Sequence, residues 1–185
     1  LCLSDFVAPA LSGKKDYIGA FAVTAGLGLD EIVKEMEARH DDFRSLMAKI
    51  LADRLAEAFA EWLHFKVRTE FWGYSPEESL GLDGMLKEEY RGIRPATGYP
   101  ACPDHREKET LFALLNAEKH AGMQLTESLM MVPGASVAGL YFAHPMARYF
   151  NLGKLRPDQV ADYAKRLNTT QEEAVRYIKT NLPLT

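Results

Sequence analysis

Short apolar runs bounded by turn residues predict four strands. Residues 1–7 alternate weakly between apolar and polar side chains, and residues 18–24 are apolar with β-branched and aromatic members. Both patterns suit strands. Two later apolar runs, residues 123–132 and 136–142, are separated by the turn pair Pro133-Gly134. We expect these two runs to be adjacent antiparallel strands.

Apolar residues at three- and four-residue steps predict helices in most of the remaining chain. The longest begins at Asp30 and runs to about Arg68, with a break near residues 40–42. Five apolar residues in it form one stripe, which we expect to face the core: Leu51, Leu55, Phe59, Trp62 and Leu63. Start signals predict four shorter helices, near Pro76, Asp104, Pro157 and Thr169. The fold class expected is α+β, a mainly antiparallel twisted sheet flanked by helices.

An acidic row lies on a different face of the long helix. Asp53, Glu57 and Glu61 follow one another at four-residue spacing. Such a row is usually a solvated face, although like charges at this spacing repel by a few tenths of a kcal/mol, roughly. A cationic ligand would relieve that repulsion, so the row is also a candidate binding surface.

Composition narrows the class of protein. The chain has 185 residues, enough for a domain with its own core, and we treat residues 1–185 as a single domain. A net charge of −4 with dispersed Lys and Arg argues against nucleic-acid binding, and no apolar run has the length of a membrane span. Cys2 and Cys102 are far apart and suggest neither a disulfide framework nor a zinc site. A reducing cytoplasm fits, and we assign no metal ligands.

Residues 90–105 form the stretch richest in candidate chemistry. Three prolines and two glycines in sixteen residues forbid a regular helix or central strand, so the sequence predicts a long irregular loop with fixed bends. The same stretch holds two arginines, two tyrosines, a cysteine and a histidine. A rigid loop with such side chains is typical of a binding site, but a proline-rich brace between helices is an equal alternative on spacing alone.

A thiol enzyme or hydrolase is another reading of this stretch. It would use Cys102 as nucleophile with His105 and Asp104. Three residues crowded into four positions across Pro103 can hardly supply the nucleophile, base and orienting group of a triad. We therefore rank this alternative below a binding site.

A resemblance to a known family separates these alternatives. The motif Arg94-Pro95-Ala96-Thr97-Gly98-Tyr99, continued to His105, resembles the signature loop of the activation domain of cobalamin-dependent methionine synthase. Residues 3–9, 16–23, 52–61, 125–128 and 133–137 are similar to the same family in the same order. The resemblance covers nearly the whole chain. Thr97 stands where the family usually has proline, which lowers the rigidity of the loop.

The family resemblance implies a set of S-adenosylmethionine contacts. In the family the pattern Arg-x-x-x-Gly-Tyr grips this cofactor, and a guanidinium can hold its carboxylate in bidentate fashion. Aromatic rings can pack on adenine and attract the sulfonium. The residues implied are Arg94, Ala96, Gly98, Tyr99, Tyr149, Phe150, Glu57 and Glu88. His105 is a further candidate because it ends the site loop, although a lone histidine is more often structural. The resemblance gives Asp53 and Glu61 no such role, and it implies no catalytic acid, base or nucleophile.

The same resemblance implies a function in enzyme reactivation. The domain would hold S-adenosylmethionine so that its methyl group restores methylcobalamin from inert cob(II)alamin, after flavodoxin or a flavoprotein reductase delivers an electron. It would be part of a methyltransferase and would dock on the cobalamin-binding module of the same enzyme. The alternative is a docking module for flavodoxin and the cobalamin module that binds no ligand of its own.

The resemblance also concerns the start of the chain. The sequence has no initiator Met and no signal peptide, and the family's domain extends further towards the N-terminus. We expect the chain to be a fragment, with the folate, homocysteine and cobalamin modules, and the zinc and cobalt of the parent enzyme, elsewhere. A carboxylate from the upstream part would complete the site, and losing one charge-assisted contact costs about 1.5 to 3 kcal/mol.

Overall fold

The computed structural model describes residues 1–178 and has an α+β fold with two small antiparallel sheets. In the central sheet β1 (Gly19–Thr24) pairs with β4 (Ser136–Tyr141), with Phe21 opposite Gly139. The second sheet pairs β2 (Gln124–Leu125) with β3 (Met131–Val132). The α+β prediction is confirmed, although two two-stranded sheets replace one larger sheet. Residues 179–185, which the single-domain prediction includes, lie outside the described residues.

Helices make up most of the rest of the described chain. The helix bounds are α1 Leu29–Ala38, α2 Asp42–Lys66, α3 Leu82–Leu86, α4 Glu107–Leu115, α5 Ala117–Ala121, α6 Pro157–Arg166 and α7 Gln171–Tyr177. A π-helical turn, Val67–Phe71, extends α2. The predicted break before α2 is confirmed, because Asp41 caps the helix by accepting a hydrogen bond from the backbone N–H of Arg44 at 3.1 Å.

The strand predicted for residues 1–7 is wrong. A 3-10 turn, Leu3–Phe6, forms instead, and the carboxylate of Asp5 accepts a hydrogen bond from the backbone N–H of Cys2 at 2.8 Å. Local bonds of this kind compete with extended structure. The turn places the buried side chain of Phe6 against Phe142, next to the site described below.

The pairing predicted for the two late strands is also wrong. Residues 123–132 fold back on themselves as the β2–β3 hairpin, with Leu129 at φ +62 inside the turn. The N–H of Met130 donates to the hydroxyl of Thr126 at 3.0 Å, which closes this turn locally. β4 is therefore left to pair with β1, more than a hundred residues earlier in the chain.

Two predicted helices are shorter than expected. The helix expected from Pro76 appears as α3 alone, because residues 75–78 form a turn in which Glu78 is buried in an ion pair with Arg68. The helix expected from Asp104 begins at Glu107 and is interrupted by Asn116, which has a left-handed backbone at φ +48. Gly122 ends its second part, as predicted.

The apolar stripe predicted to face the core is largely exposed. Leu55 is 62% exposed and Trp62 is 49% exposed, whereas Ala52, Ala56 and Ala60 are buried. Small residues face the sheet because α2 lies close to it: Ala60 packs with Phe21, Val23 and Tyr141 of the two central strands. The prediction fails because the larger side chains cannot fit between the helix and the strands.

The central sheet also positions the 90–105 segment. At Gly139 of β4, an added Cβ would lie 2.5 Å from the carbonyl oxygen of Pro95, so only glycine lets this segment approach the strand. The N–H of Leu140 donates to that carbonyl at 3.0 Å. Across the described residues, no helix is both long enough and apolar enough to cross a membrane.

Candidate functional site

The 90–105 segment lies along the free edge of β4 and then turns. Ile93 exchanges backbone hydrogen bonds with Phe142, each 3.0 Å long, and the N–H of Gly98 donates to the carbonyl of Cys102 at 2.7 Å. The segment is irregular, as predicted, but it is anchored at both ends by the core and by its own turn. Such anchoring suits a binding loop, because bound groups need fixed partners.

Arg94 is held by three side chains. Its Nη2 lies 2.6 Å from the carboxylate of Glu61, and its Nη1 donates to the hydroxyl of Tyr90 at 2.8 Å. Nη1 also lies 3.4 Å from Nδ1 of His64. Burial acts to lower the pKa of Arg94, but Tyr90, Tyr149 and Glu61 raise it above its usual value, so the side chain carries a full positive charge.

A cavity of about 540 Å³ opens beside Arg94, between α2, the 90–105 segment and residues 149–151. Its volume is in the range of about 300 to 1,000 Å³ that is typical of small-molecule sites. The lining residues are Phe21, Glu57, Glu88, Arg94, Pro95, Ala96, Tyr99, Pro100, Ala101, Val137, Tyr149, Phe150 and Asn151. The structure therefore brings together seven of the nine residues that the sequence analysis selected.

The cavity combines charges of both signs with aromatic surface. Arg94 supplies a cation, and Glu57 and Glu88 supply two carboxylates from α2 and from the turn after α3. The hydroxyl of Tyr149 accepts a hydrogen bond from the backbone N–H of Arg94 at 3.0 Å, which fixes its ring at the wall. Burial raises the pKa of Tyr149, so this residue stays neutral. A zwitterionic ligand with a flat aromatic part matches these groups.

Gly98 and His105 lie behind the wall and contact each other. A Cβ at Gly98, which has φ +89, would lie 2.2 Å from Cε1 of His105. Nδ1 of His105 is 2.9 Å from Nζ of Lys108, and burial together with that ammonium lowers the pKa of the histidine. In this structure the two residues shape the turn that carries Tyr99, and neither borders the cavity.

The geometry gives no support to the thiol alternative. Burial, aided by Glu107 and Asp104, raises the pKa of the Cys102 thiol to about 11, so the nucleophilic thiolate is scarce at neutral pH. The carboxylate of Asp104 binds Arg106 and accepts a 2.6 Å hydrogen bond from the hydroxyl of Tyr163. Asp104 therefore ties the loop to α6 instead of orienting His105.

Sequence reasoning missed the partners of Arg94 and part of the cavity wall. Glu61 was noticed as one of an acidic row, but His64 and Tyr90 were not singled out. The spacing of Glu57, Glu61 and His64 along α2 could have placed all three on one helix face. Phe21 and Val137 reach the cavity from β1 and β4, and no local pattern in the sequence joins these distant strands.

A second cavity, of about 370 Å³, has a different character. It lies between the central sheet, α2 and α5, and its lining is mostly apolar, with Phe21, Leu63 and Leu115 among the contributors. His120 is the sole ionisable side chain apart from Tyr141 among its described lining residues. It offers no charged groups comparable with Arg94, Glu57 and Glu88 of the first cavity.

Comparison with known proteins identifies the family. The family model described as vitamin B12 dependent methionine synthase, activation domain, matches residues 1–168. The chain belongs to this family. The activation-domain assignment confirms the resemblance expected from the motif at residues 94–99.

A solved structure shows the same fold. The crystal structure of the MetH reactivation domain bound to AdoHcy is 55% identical in sequence and superposes with a TM-score of 0.95. It covers 100% of this chain, whereas this chain spans 57% of the length of that one.

Within the activation-domain motif, Thr97 is 5% exposed and its hydroxyl oxygen has no hydrogen-bond partner within residues 1–178.

Proposed function

We propose that the cavity beside Arg94 binds S-adenosylmethionine and presents its methyl group for the reactivation of cobalamin-dependent methionine synthase. The observation that carries the proposal is the placement of a tethered guanidinium, two carboxylates and aromatic rings around one cavity of suitable size. The AdoHcy bound in the related reactivation domain supports the ligand class, because AdoHcy is S-adenosylmethionine without the transferred methyl group.

Each part of the ligand meets a group of matching chemistry. Arg94 binds the carboxylate through charge-assisted hydrogen bonds. Glu57 and Glu88 provide negative charge for the ammonium and the sulfonium, and Tyr99, Tyr149 and Phe150 provide rings for the adenine. Gly98 and His105 act indirectly, since their contact fixes the turn that presents Tyr99.

The domain contributes binding and orientation to the reaction. Cobalamin, bound by a neighbouring module of the same enzyme, supplies the cobalt nucleophile that accepts the methyl group after one-electron reduction by flavodoxin or a flavoprotein reductase. No side chain of this chain needs to act as acid, base or nucleophile, because the sulfonium is already an activated donor. The side chains bind the methyl donor and fix its direction.

The proposal is tested by equilibrium binding of S-adenosylmethionine to the chain by calorimetry. We expect Arg94→Ala to weaken binding by about tenfold or more, about 1.4 kcal/mol or more. Arg94→Lys should also bind weakly, because the ammonium keeps the charge but loses the planar fork.

Arg91→Ala is the matched control for this measurement. Arg91 belongs to the same segment, but its guanidinium donates to the carbonyls of Ala143 and Tyr74, away from the cavity lining. Its removal should leave the affinity within about twofold. Equal affinities of the wild type and Arg94→Ala would refute the proposed site.

A further inference from the structure

Three side chains outside the cavity lining contact the guanidinium of Arg94: Glu61, His64 and Tyr90. An arginine has five N–H donors, two on each Nη and one on Nε. The contacts to Tyr90 and His64 involve Nη1, and the contact to Glu61 involves Nη2. Among the described partners this leaves the Nε–H and one Nη2–H for a carboxylate in the cavity.

The geometry points to Glu61, His64 and Tyr90 as positioning residues that orient Arg94 for the carboxylate of S-adenosylmethionine. The inference rests on the proposed function and extends it to residues that do not border the ligand site. A bidentate contact needs two parallel N–H groups in one plane, and a free arginine side chain samples many rotamers. Contacts with Glu61, His64 and Tyr90 restrict the guanidinium before the ligand binds, so binding loses less side-chain entropy.

His64 can hold Arg94 in one tautomer only. A guanidinium has donors and no acceptor, so Nδ1 of His64 must accept from Arg94 and the ring proton lies on Nε2. Nε2 is 3.3 Å from the hydroxyl of Tyr74 and donates to it. Burial, with the nearby charges of Arg68 and Arg94, lowers the pKa of His64 to about 2, so the ring is a neutral acceptor at physiological pH.

A second layer of contacts fixes the three residues. The ring of His64 stacks on Tyr141 at 5.1 Å and lies nearly perpendicular to the ring of Tyr90, also at 5.1 Å. Arg68 lies 3.9 Å over the ring of Tyr90 and donates two hydrogen bonds, each 2.7 Å long, to the carboxylate of Glu78. This layer restrains the hydroxyl of Tyr90 and Nδ1 of His64 through contacts on residues that do not line the cavity, apart from Arg94 itself.

The first test compares two ligands that differ by one carboxylate: S-adenosylmethionine and its decarboxylated analogue. Tyr90→Phe removes the hydroxyl but keeps the ring under Arg68, and Glu61→Gln removes the charge but keeps the shape. We expect each variant to weaken S-adenosylmethionine binding about three- to tenfold and to leave binding of the analogue unchanged. A merely structural defect would weaken both ligands alike.

Arg91→Ala is again the control. Arg91 belongs to the same segment, but its guanidinium donates to the carbonyls of Ala143 and Tyr74, and none of its described hydrogen bonds reaches Glu61, His64 or Tyr90. Its removal should change neither affinity. If Arg94→Ala weakens binding but Tyr90→Phe and Glu61→Gln leave the ligand preference unchanged, the positioning role is refuted and the proposed function stands.

A second test needs no ligand. We expect ¹⁵N NMR of the chain to show His64 protonated on Nε2 and unprotonated on Nδ1, with the Nδ1 signal shifting in Arg94→Met and not in His40→Gln, which changes an exposed residue. A proton on Nδ1 would exclude the contact to Arg94 and overturn the inference. If the wild-type chain binds neither ligand, the proposed function fails. The NMR measurement then decides by itself whether His64 accepts a hydrogen bond from Arg94.

Discussion

Gly98 shows how a single residue sets the shape of the site loop. Its backbone has φ +89, a region that residues with a Cβ rarely adopt, and a Cβ there would lie 2.2 Å from the imidazole of His105. Two penalties therefore combine, one from the backbone and one from the contact. The turn that carries Tyr99 depends on both being absent.

We expect Gly98→Ala to lower the free energy of unfolding by about 2 to 4 kcal/mol, measured by urea denaturation. Gly13→Ala is the control, because Gly13 has φ +66 but nothing within 4 Å of an added Cβ. It should lose about 1 kcal/mol from the backbone penalty alone. Equal losses in the two variants would mean that the contact with His105 contributes nothing.

The residues of the site differ in how far the sequence could predict them. Arg94, Ala96 and Tyr99 lie within one local motif, so their shared place on the cavity wall follows from neighbouring positions. His64 carries no such signal, since a lone histidine on a helix face is usually structural. Its role beside Arg94 depends on where a helix thirty residues earlier packs, which the sequence pattern does not specify.

At the scale of an element, α2 packs through alanines. Ala56 and Ala60 are 1% and 0% exposed, and Ala60 packs against the central sheet, whereas Leu51, Leu55 and Phe59 are exposed. The periodic pattern of large apolar residues indicates that α2 has an apolar face, but it does not indicate which face of α2 packs against the central sheet. The small residues mark the close contact, because protein interiors leave no room for extra side-chain volume.

This packing predicts effects of different size for the same substitution on two faces of α2. Ala56→Leu should lower the free energy of unfolding by about 1 to 3 kcal/mol or more, because the added atoms have no space. Ala58→Leu, on the exposed face of the same helix, should change it by less than about 0.5 kcal/mol. Urea unfolding of both variants measures the contrast, and similar values would contradict the observed orientation of α2.

The positions of the two central strands were predicted correctly, but their pairing was not. Residues 19–24 and 136–141 form strands within the predicted ranges, because apolar β-branched and aromatic runs identify buried strands. Their partner choice was wrong because a local turn between Thr126 and Met130 closes the intervening run into its own hairpin. Such turns depend on side-chain hydrogen bonds that a hydrophobic pattern does not record.

Across the whole molecule, the site loop connects the central sheet to the C-terminal helices. Pro95 joins β4 through its carbonyl, and Asp104 accepts a 2.6 Å hydrogen bond from Tyr163 of α6. Arg106, which binds Asp104, also lies 3.6 Å over the ring of Tyr177 at the end of α7. The loop thus braces the sheet against the C-terminal helices and also forms part of the cavity wall.

The burial of His64 predicts a pH dependence of the stability of the whole domain. Its pKa is about 2 in the folded state and about 6.5 in the unfolded chain. The folded pKa is the lower one, so the unfolded state binds the proton first as pH falls. The contribution of His64 is therefore fully present above about pH 6.5 and declines by about 1.4 kcal/mol for each pH unit below it.

Between about pH 7 and pH 5 this amounts to a loss of about 2 kcal/mol, which urea unfolding at the two pH values should detect. His64→Gln should lose this contribution of about 2 kcal/mol, whatever its stability at either pH, because glutamine does not titrate. The lowered pKa of His105 also reduces the free energy of unfolding as pH falls, but His105 is still present in the variant. The lowered pKa of Asp104 affects the stability only below about pH 4. His40→Gln, at an exposed position, is the control and should keep the wild-type difference. An unchanged pH dependence in His64→Gln would show that the imidazole beside Arg94 is not held neutral by the fold.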